Sequence, residues 1–206
     1  MKKSVTKDRL APRLRHDYVA GLRFDTEVQI LRNGRWCDLF ALIEGNAEDH
    51  FGECLAQCLE TLRLPSAPLP PGTAARWDES VQSGKLGHLH AWLKCQEIPV
   101  RIEAPTCLSP IDIGIAALQA IDAGAVGMLR LADGHSNHWA LLTGIELRQS
   151  RPRSLLVLDP RIARPWACGY NARLRLRSTT AGLLYRALDG ERHTVVVQQL
   201  LILRCV

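Results

Sequence analysis

The amino-acid sequence predicts an α+β fold, with helices gathered on one side of an antiparallel β-sheet and a β-hairpin ahead of them. Three observations predict it. Apolar residues fall at helical spacing in two segments between Glu53 and Asp122, strand-like runs crowd the chain from Val126 onward, and Asn33-Gly34 sits between two alternating runs near the start.

The elements follow in chain order. Met1 to Arg23 is charged and aperiodic, so it is expected to be flexible or to lie along the surface, and residues 24–206 are read as one domain. Within that domain, 24–43 is the hairpin: Glu27 to Arg32 and Arg35 to Phe40 flank Asn33-Gly34, a dipeptide suited to a tight two-residue turn. Residues 44–160 hold the core that carries the candidate chemistry. Glu53 to Leu64 places Leu55, Cys58, Leu59 and Leu62 on one helical face before Pro65 forbids continuation. Short helices are predicted over Ala75 to Gln82 and Leu86 to Cys95, followed by a brief strand over Ile98 to Ile102. Ser109-Pro110 starts another helix, a hydroxyl cap followed by the one helical position that favours proline. Strands are predicted at Val126 to Leu131, His138 to Leu147 and Ser154 to Leu158. Residues 161–206 supply C-terminal strands, one alternating through Arg173 to Arg177 and one largely buried through His193 to Arg204.

Composition sets the class. The chain has 206 residues, enough for one substantial core; it is 47% hydrophobic and 23% charged, an ordinary globular balance. A net charge of +5 is too modest, and 5% aromatic residues too few, to suggest a nucleic-acid surface, and nucleic acid is not expected as a partner. The basic first residues contain no apolar stretch of signal-peptide or membrane-span length, so no membrane span and a cytoplasmic location are expected, barring export by a dedicated machine. Seven cysteines at irregular spacing, without a CxxC pair, point to reduced thiols.

A thiol becomes a nucleophile where its thiolate is stabilised, and a helix N-terminus does this through unpaired amides. Cys54 is expected there. A base must hold the proton and a third group must orient the base. His138 opens one strand and Asp159 follows another, and if those strands pair as a hairpin, the start of the first lies beside the end of the second. The geometry makes His138 and Asp159 neighbours. His50, Cys54 and Cys58 at i, i+4 and i+8 cannot converge on one tetrahedral ion, so no metal is expected.

The strings Asn137-His138-Trp139-Ala140-Leu141-Leu142-Thr143-Gly144-Ile145 and Leu155-Leu156-Val157-Leu158-Asp159-Pro160, with Glu53-Cys54-Leu55-Ala56-Gln57-Cys58-Leu59 upstream, resemble the bacterial double-glycine leader peptidases. These are papain-like cysteine peptidase domains that process bacteriocins, and the resemblance covers roughly Glu48 to Pro160. It implies a papain-like fold, with Cys54 as nucleophile, His138 as base and Asp159 as orienting group. The family places Gln six residues before the nucleophile to hold the oxyanion; Glu48 stands there in this chain, with Asn46 and His50 as neighbouring candidates. Gly usually follows the nucleophile, and here it is Leu55.

The expected function is a cysteine hydrolase that cleaves a peptide or isopeptide amide in a peptide or protein substrate, with no cofactor. Glu48 and Leu55 motivate an alternative, a catalytically inactive module that binds a peptide or protein partner. Gln deamidation or acyl transfer by the same triad is a further alternative, because all three reactions share the acyl-enzyme.

Overall fold

The computed structural model describes residues 14–19, 29–32, 35–38, 50–64, 77, 80–81, 85–106, 109–134, 136–162, 169–179, 182–188 and 190–206. Strand β1 is Leu14–Tyr18, β2 is Gln29–Arg32 and β3 is Arg35–Asp38; helix α1 is His50–Thr61 and α2 is Gly87–Cys95. Then come β4 (Val100–Glu103), α3 (Pro110–Asp122), β5 (Val126–Ala132), β6 (Asn137–Arg148), β7 (Arg151–Leu158), β8 (Ala172–Thr179), β9 (Gly182–Ala187) and β10 (Arg192–Cys205).

The α+β, papain-like expectation is overturned. The chain is mostly antiparallel β, built on a closed six-stranded barrel with only short helices. Strands β5 to β10 each pair with the next in sequence, and β10 returns to pair with β5 through Val196 to Leu203. The physical reason lies in the C-terminal strands, which do not extend an open sheet. A twisted sheet of this size leaves two hydrogen-bonding edges, and closure removes both. The 14 residues of β10 make closure possible, because one strand reaches β9 on one edge and β5 along most of the other. Strand β4 takes the place beyond β9 against the last residues of β10, and β1 does the same beyond β5 against β6.

Local chemistry explains the individual elements. Ser109 caps α3: its hydroxyl accepts the Asp112 amide, and the Asp112 carboxylate accepts the Ser109 amide, which completes a capping box with proline at the first turn. The β6–β7 hairpin turns tightly through Gln149 (φ 53°) and Ser150 (φ 59°), both in the left-handed region that two-residue hairpin turns require. Gly144 lets β1 lie against β6, since a Cβ there would sit 2.6 Å from the Asp17 carbonyl oxygen. That strand falls inside the segment expected to be flexible or surface-lying, where aperiodic sequence carried no strand signal. The predicted N-terminal hairpin is present, with Arg32 opposite Arg35. Trp77, Ser80 and Val81, within the helix predicted over Ala75 to Gln82, are helical.

Strands β5 and β6 are buried on both faces, as their near-continuous apolar sequences require. Barrel-filling side chains cover one face, and α1 and α3 cover the other: α1 packs across β5 and β6, α3 mainly across β7 and β8. Phe51 of α1 meets Trp139 of β6 edge to face, with ring centroids 5.2 Å apart. This contact sets the first turn of α1 over the start of β6, where His138 stands. Among the described residues, no helix is long and apolar enough to cross a membrane.

Candidate functional site

The site is assembled where β6 begins and β7 ends. The hairpin register pairs Leu141 with Leu158, so the residue that follows β7, Asp159, comes level with the first turn of β6. The predicted adjacency of His138 and Asp159 is thereby realised: His138 Nε2 lies 2.9 Å from Asp159 Oδ2, with both side chains buried. Asp159 Oδ2 also accepts the Tyr185 hydroxyl at 2.8 Å, while Oδ1 accepts the Arg161 backbone amide at 2.9 Å. The Arg161 guanidinium stands 3.7 Å from Oδ1 and is itself held by Asp133 and Ser136, from the connection between β5 and β6.

The loop that carries Asp159 is clamped by Asn171. Its Oδ1 accepts the Asp159 amide at 2.7 Å, and its Nδ2 donates to the carbonyls of Asp159 at 2.7 Å and Ile162 at 3.2 Å. Asn171 is fully buried, so each of these bonds replaces water that cannot reach it. The backbone around Asp159 is therefore fixed before any substrate arrives.

Electrostatics follow from this geometry. Burial pushes the Asp159 pKa up, but the hydrogen bond and charge of His138, with the Arg161 amide and guanidinium, outweigh it and hold the carboxyl below its ordinary range. The ionised group is an acceptor only, so His138 Nε2 is the donor of their hydrogen bond, and in a neutral imidazole with that tautomer the lone pair lies on Nδ1. His138 Nδ1 is buried and has no hydrogen-bond partner among the described residues. Buried polar atoms are rarely left so.

His50, in the first turn of α1, is in ring contact with His138. The two imidazole centroids are 6.5 Å apart with planes near perpendicular, and His50 Nδ1 is likewise buried without a partner among the described residues. Burial, then the adjacent His138, lowers the His50 pKa from its ordinary value, which favours the neutral ring. Cys54 lies one turn further along α1 on the same side, 5% exposed and outside any disulfide. The helix starts earlier than the apolar spacing predicts, so Cys54 occupies its second turn and not its N-terminus. Cys58, another turn on, is fully buried and its thiol is pushed far above the usual range by desolvation, which leaves it inert.

Of the oxyanion candidates, His50 is at the site, while Asn46 and Glu48 lie outside the described residues. The Leu55 side chain is fully buried in the core. Tyr185, Asn171 and Arg161 escaped the sequence reading. A single Tyr in a six-residue strand, and an Asn and an Arg in a long connection, carry no spacing signal: Arg161 meets Asp159 two residues on, Asn171 where β8 comes alongside β7, and Tyr185 from the strand beyond. Among the described residues, no group of three or more His, Cys, Asp or Glu is arranged to hold a metal ion. No protein-family model and no curated protein matches this chain.

Proposed function

We propose that the chain is a thiol hydrolase acting on a peptide or isopeptide amide, with Cys54 as nucleophile, His138 as base and Asp159 as the group that orients the base. The observation that carries this reading is the buried His138–Asp159 pair, whose second ring nitrogen, His138 Nδ1, is buried without a partner among the described residues, with the α1 residue His50 in ring contact with His138. It does not depend on a papain-like fold, since nucleophile, base and orienting group recur on unrelated frames.

In the proposed reaction, His138 Nδ1 takes the thiol proton of Cys54 as sulfur attacks the carbonyl carbon. The same nitrogen then delivers that proton to the leaving amine as the C–N bond breaks, leaving a thioester on Cys54. Water, deprotonated by Nδ1, attacks the thioester and releases the acid, and the thiol recovers its proton. In this proposal a neutral His50 donates an N–H to the developing oxyanion, a role that neutral imidazole can fill.

The test is labelling by a thiol-directed peptidase probe, with the modified residue mapped by mass spectrometry. Cys54 is expected to carry the label, and Cys54→Ala and His138→Ala to abolish it. Equal labelling of Cys54→Ala and the parent would refute the nucleophile assignment.

A second reading, a non-catalytic module that binds a peptide or partner protein, is favoured by one observation: Cys54 and His138 are only 5% and 3% exposed. A parent protein that is never labelled at Cys54 would select it.

A further inference from the structure

Asp159 Oδ2 receives two hydrogen bonds, one from each of two different strands. His138 Nε2 reaches it from β6 at 2.9 Å, and the Tyr185 hydroxyl reaches it from β9 at 2.8 Å. Tyr185 is fully buried, and its ring is stacked on His193 of β10 with centroids 4.5 Å apart and planes 22° apart. His193 is anchored in turn by Glu191 at 3.2 Å. The phenol is thus held by packing as well as by its hydrogen bond.

We infer that Tyr185 is a positioning residue of this site: it fixes the Asp159 carboxylate against His138 and, by drawing charge from the shared oxygen, sets how strongly that carboxylate holds a proton on the imidazole. The inference rests on the proposed role of His138 as base, but its test does not pass through Cys54.

Three features support it. First, the hydroxyl is a dedicated donor. Burial, then the charge and hydrogen bond of Asp159, raise the Tyr185 pKa far above its ordinary value, so the proton stays on the phenol and remains directed at Asp159. Second, the carboxylate has no spare freedom: Oδ1 is held by the Arg161 amide, Oδ2 by His138 and Tyr185, and the backbone by Asn171. Third, Tyr185 lies in the part of the chain that the family resemblance does not cover, which gives the C-terminal strands a role in the site beyond closing the barrel.

Charged and titratable groups among the described residues face this system from several elements. His138 is met by Asp159 and Arg161 from the β7–β8 connection, by His50 from α1 with Cys54 one turn on, and by the Asp159-bound Tyr185. Tyr185 is met by Asp159, Arg161, Glu191 and His193. Among the described residues, the Tyr185 hydroxyl and the His138 ring share Oδ2 of Asp159.

The test follows the His138 ring-carbon NMR signal against pH. Tyr185→Phe keeps the ring and removes the donor, leaving more negative charge on Oδ2, so the His138 transition is expected to move up by about half a pH unit or more. Replacing tyrosine throughout by 3-fluorotyrosine makes the phenol a stronger donor, so the transition is expected to move down. That shift should vanish when the same substitution is made in Tyr185→Phe, since Tyr18 and Tyr170 lie at the other end of β6. A loosened barrel would not produce shifts of opposite sign. If Tyr185→Phe folds with parental amide-exchange protection in β9 and the transition stays in place, or if both changes move it the same way, the inference is overturned. Should Tyr185→Phe fail to fold, the fluorotyrosine result decides alone, a downward shift supporting the inference and any other result refuting it. Loss of Cys54 labelling in the parent would refute the hydrolase reading and leave this coupling standing.

Discussion

Strand β6 carries a buried ionic network at each end. At its C-terminal end, Glu146 accepts the Ser154 hydroxyl at 3.0 Å through one oxygen, and through the other meets Arg173 at 3.0 Å and His16 at 3.3 Å. Arg173 also donates to the Tyr170 hydroxyl and lies over its ring. At its N-terminal end, His138 and Asp159 are joined by Tyr185, Arg161 and Asn171. Both networks stitch neighbouring strands to β6, and both satisfy their carboxylate. They differ in what is left over. The Glu146 network reaches solvent through the partly exposed His16 and Arg173 side chains, whereas the His138 network ends in a buried, unpartnered imidazole nitrogen on a ring in contact with a second buried imidazole. A saturated network stabilises; one that stops at a buried lone pair beside a thiol-bearing helix is suited to hold a proton in transit.

Three experiments break or sharpen that contrast. The largest effect is expected from Asp159→Ala, which strands a buried imidazole and phenol and removes the anchor of the β7–β8 connection. Chemical denaturation should show a loss of about 2–6 kcal/mol, because two buried donors, His138 Nε2 and the Tyr185 hydroxyl, each lose their acceptor at about 1–3 kcal/mol apiece, together with loss of thiol-probe labelling at Cys54. Retained labelling in the folded variant would mean that the two ends of β6 do not differ in kind.

Glu146→Ala is expected to cost less, about 1–3 kcal/mol, because the Arg173 side chain is 27% exposed and can turn to water. Labelling at Cys54 should be parental. If labelling falls in proportion to that of Asp159→Ala, the Glu146 network is part of the site and the contrast fails.

The smallest effect concerns pH. The folded-state pKa of His50 lies below its unfolded value, so the unfolded chain binds more protons and the associated stability is present above the unfolded value, about 6.5, and lost as pH falls toward the folded value. His50→Gln should therefore flatten the dependence of the denaturation midpoint below about pH 6.5, and leave it unchanged above about pH 7. An unchanged slope would show that His50 is not held neutral against His138.

How much of this was legible in the sequence depends on the distance along the chain over which each feature is decided. The capped helix after Ser109 and the tight hairpin between β6 and β7 are local, and their residues declare them. The neighbourhood of His138 and Asp159 was legible for the same reason: a hairpin with a short turn leaves few registers that keep the apolar residues of both strands buried. The α+β expectation failed at longer range. Alternation in Arg173 to Arg177 and the apolar run after His193 announce strands, but nothing local says that the second must return to Val126–Leu131.

By itself, then, the sequence determined that this chain has a buried hairpin presenting a histidine and an aspartate to each other, beside a helix bearing a cysteine. Only the tertiary structure decided that the sheet closes, that Tyr185, Asn171 and Arg161 converge on Asp159, and that His50 stands opposite His138. The reason is physical. Hairpin register follows from side-chain alternation and turn length within some twenty residues. Barrel closure follows from the free energy of removing two sheet edges at once, which depends on strands far apart in sequence and is written in no single segment.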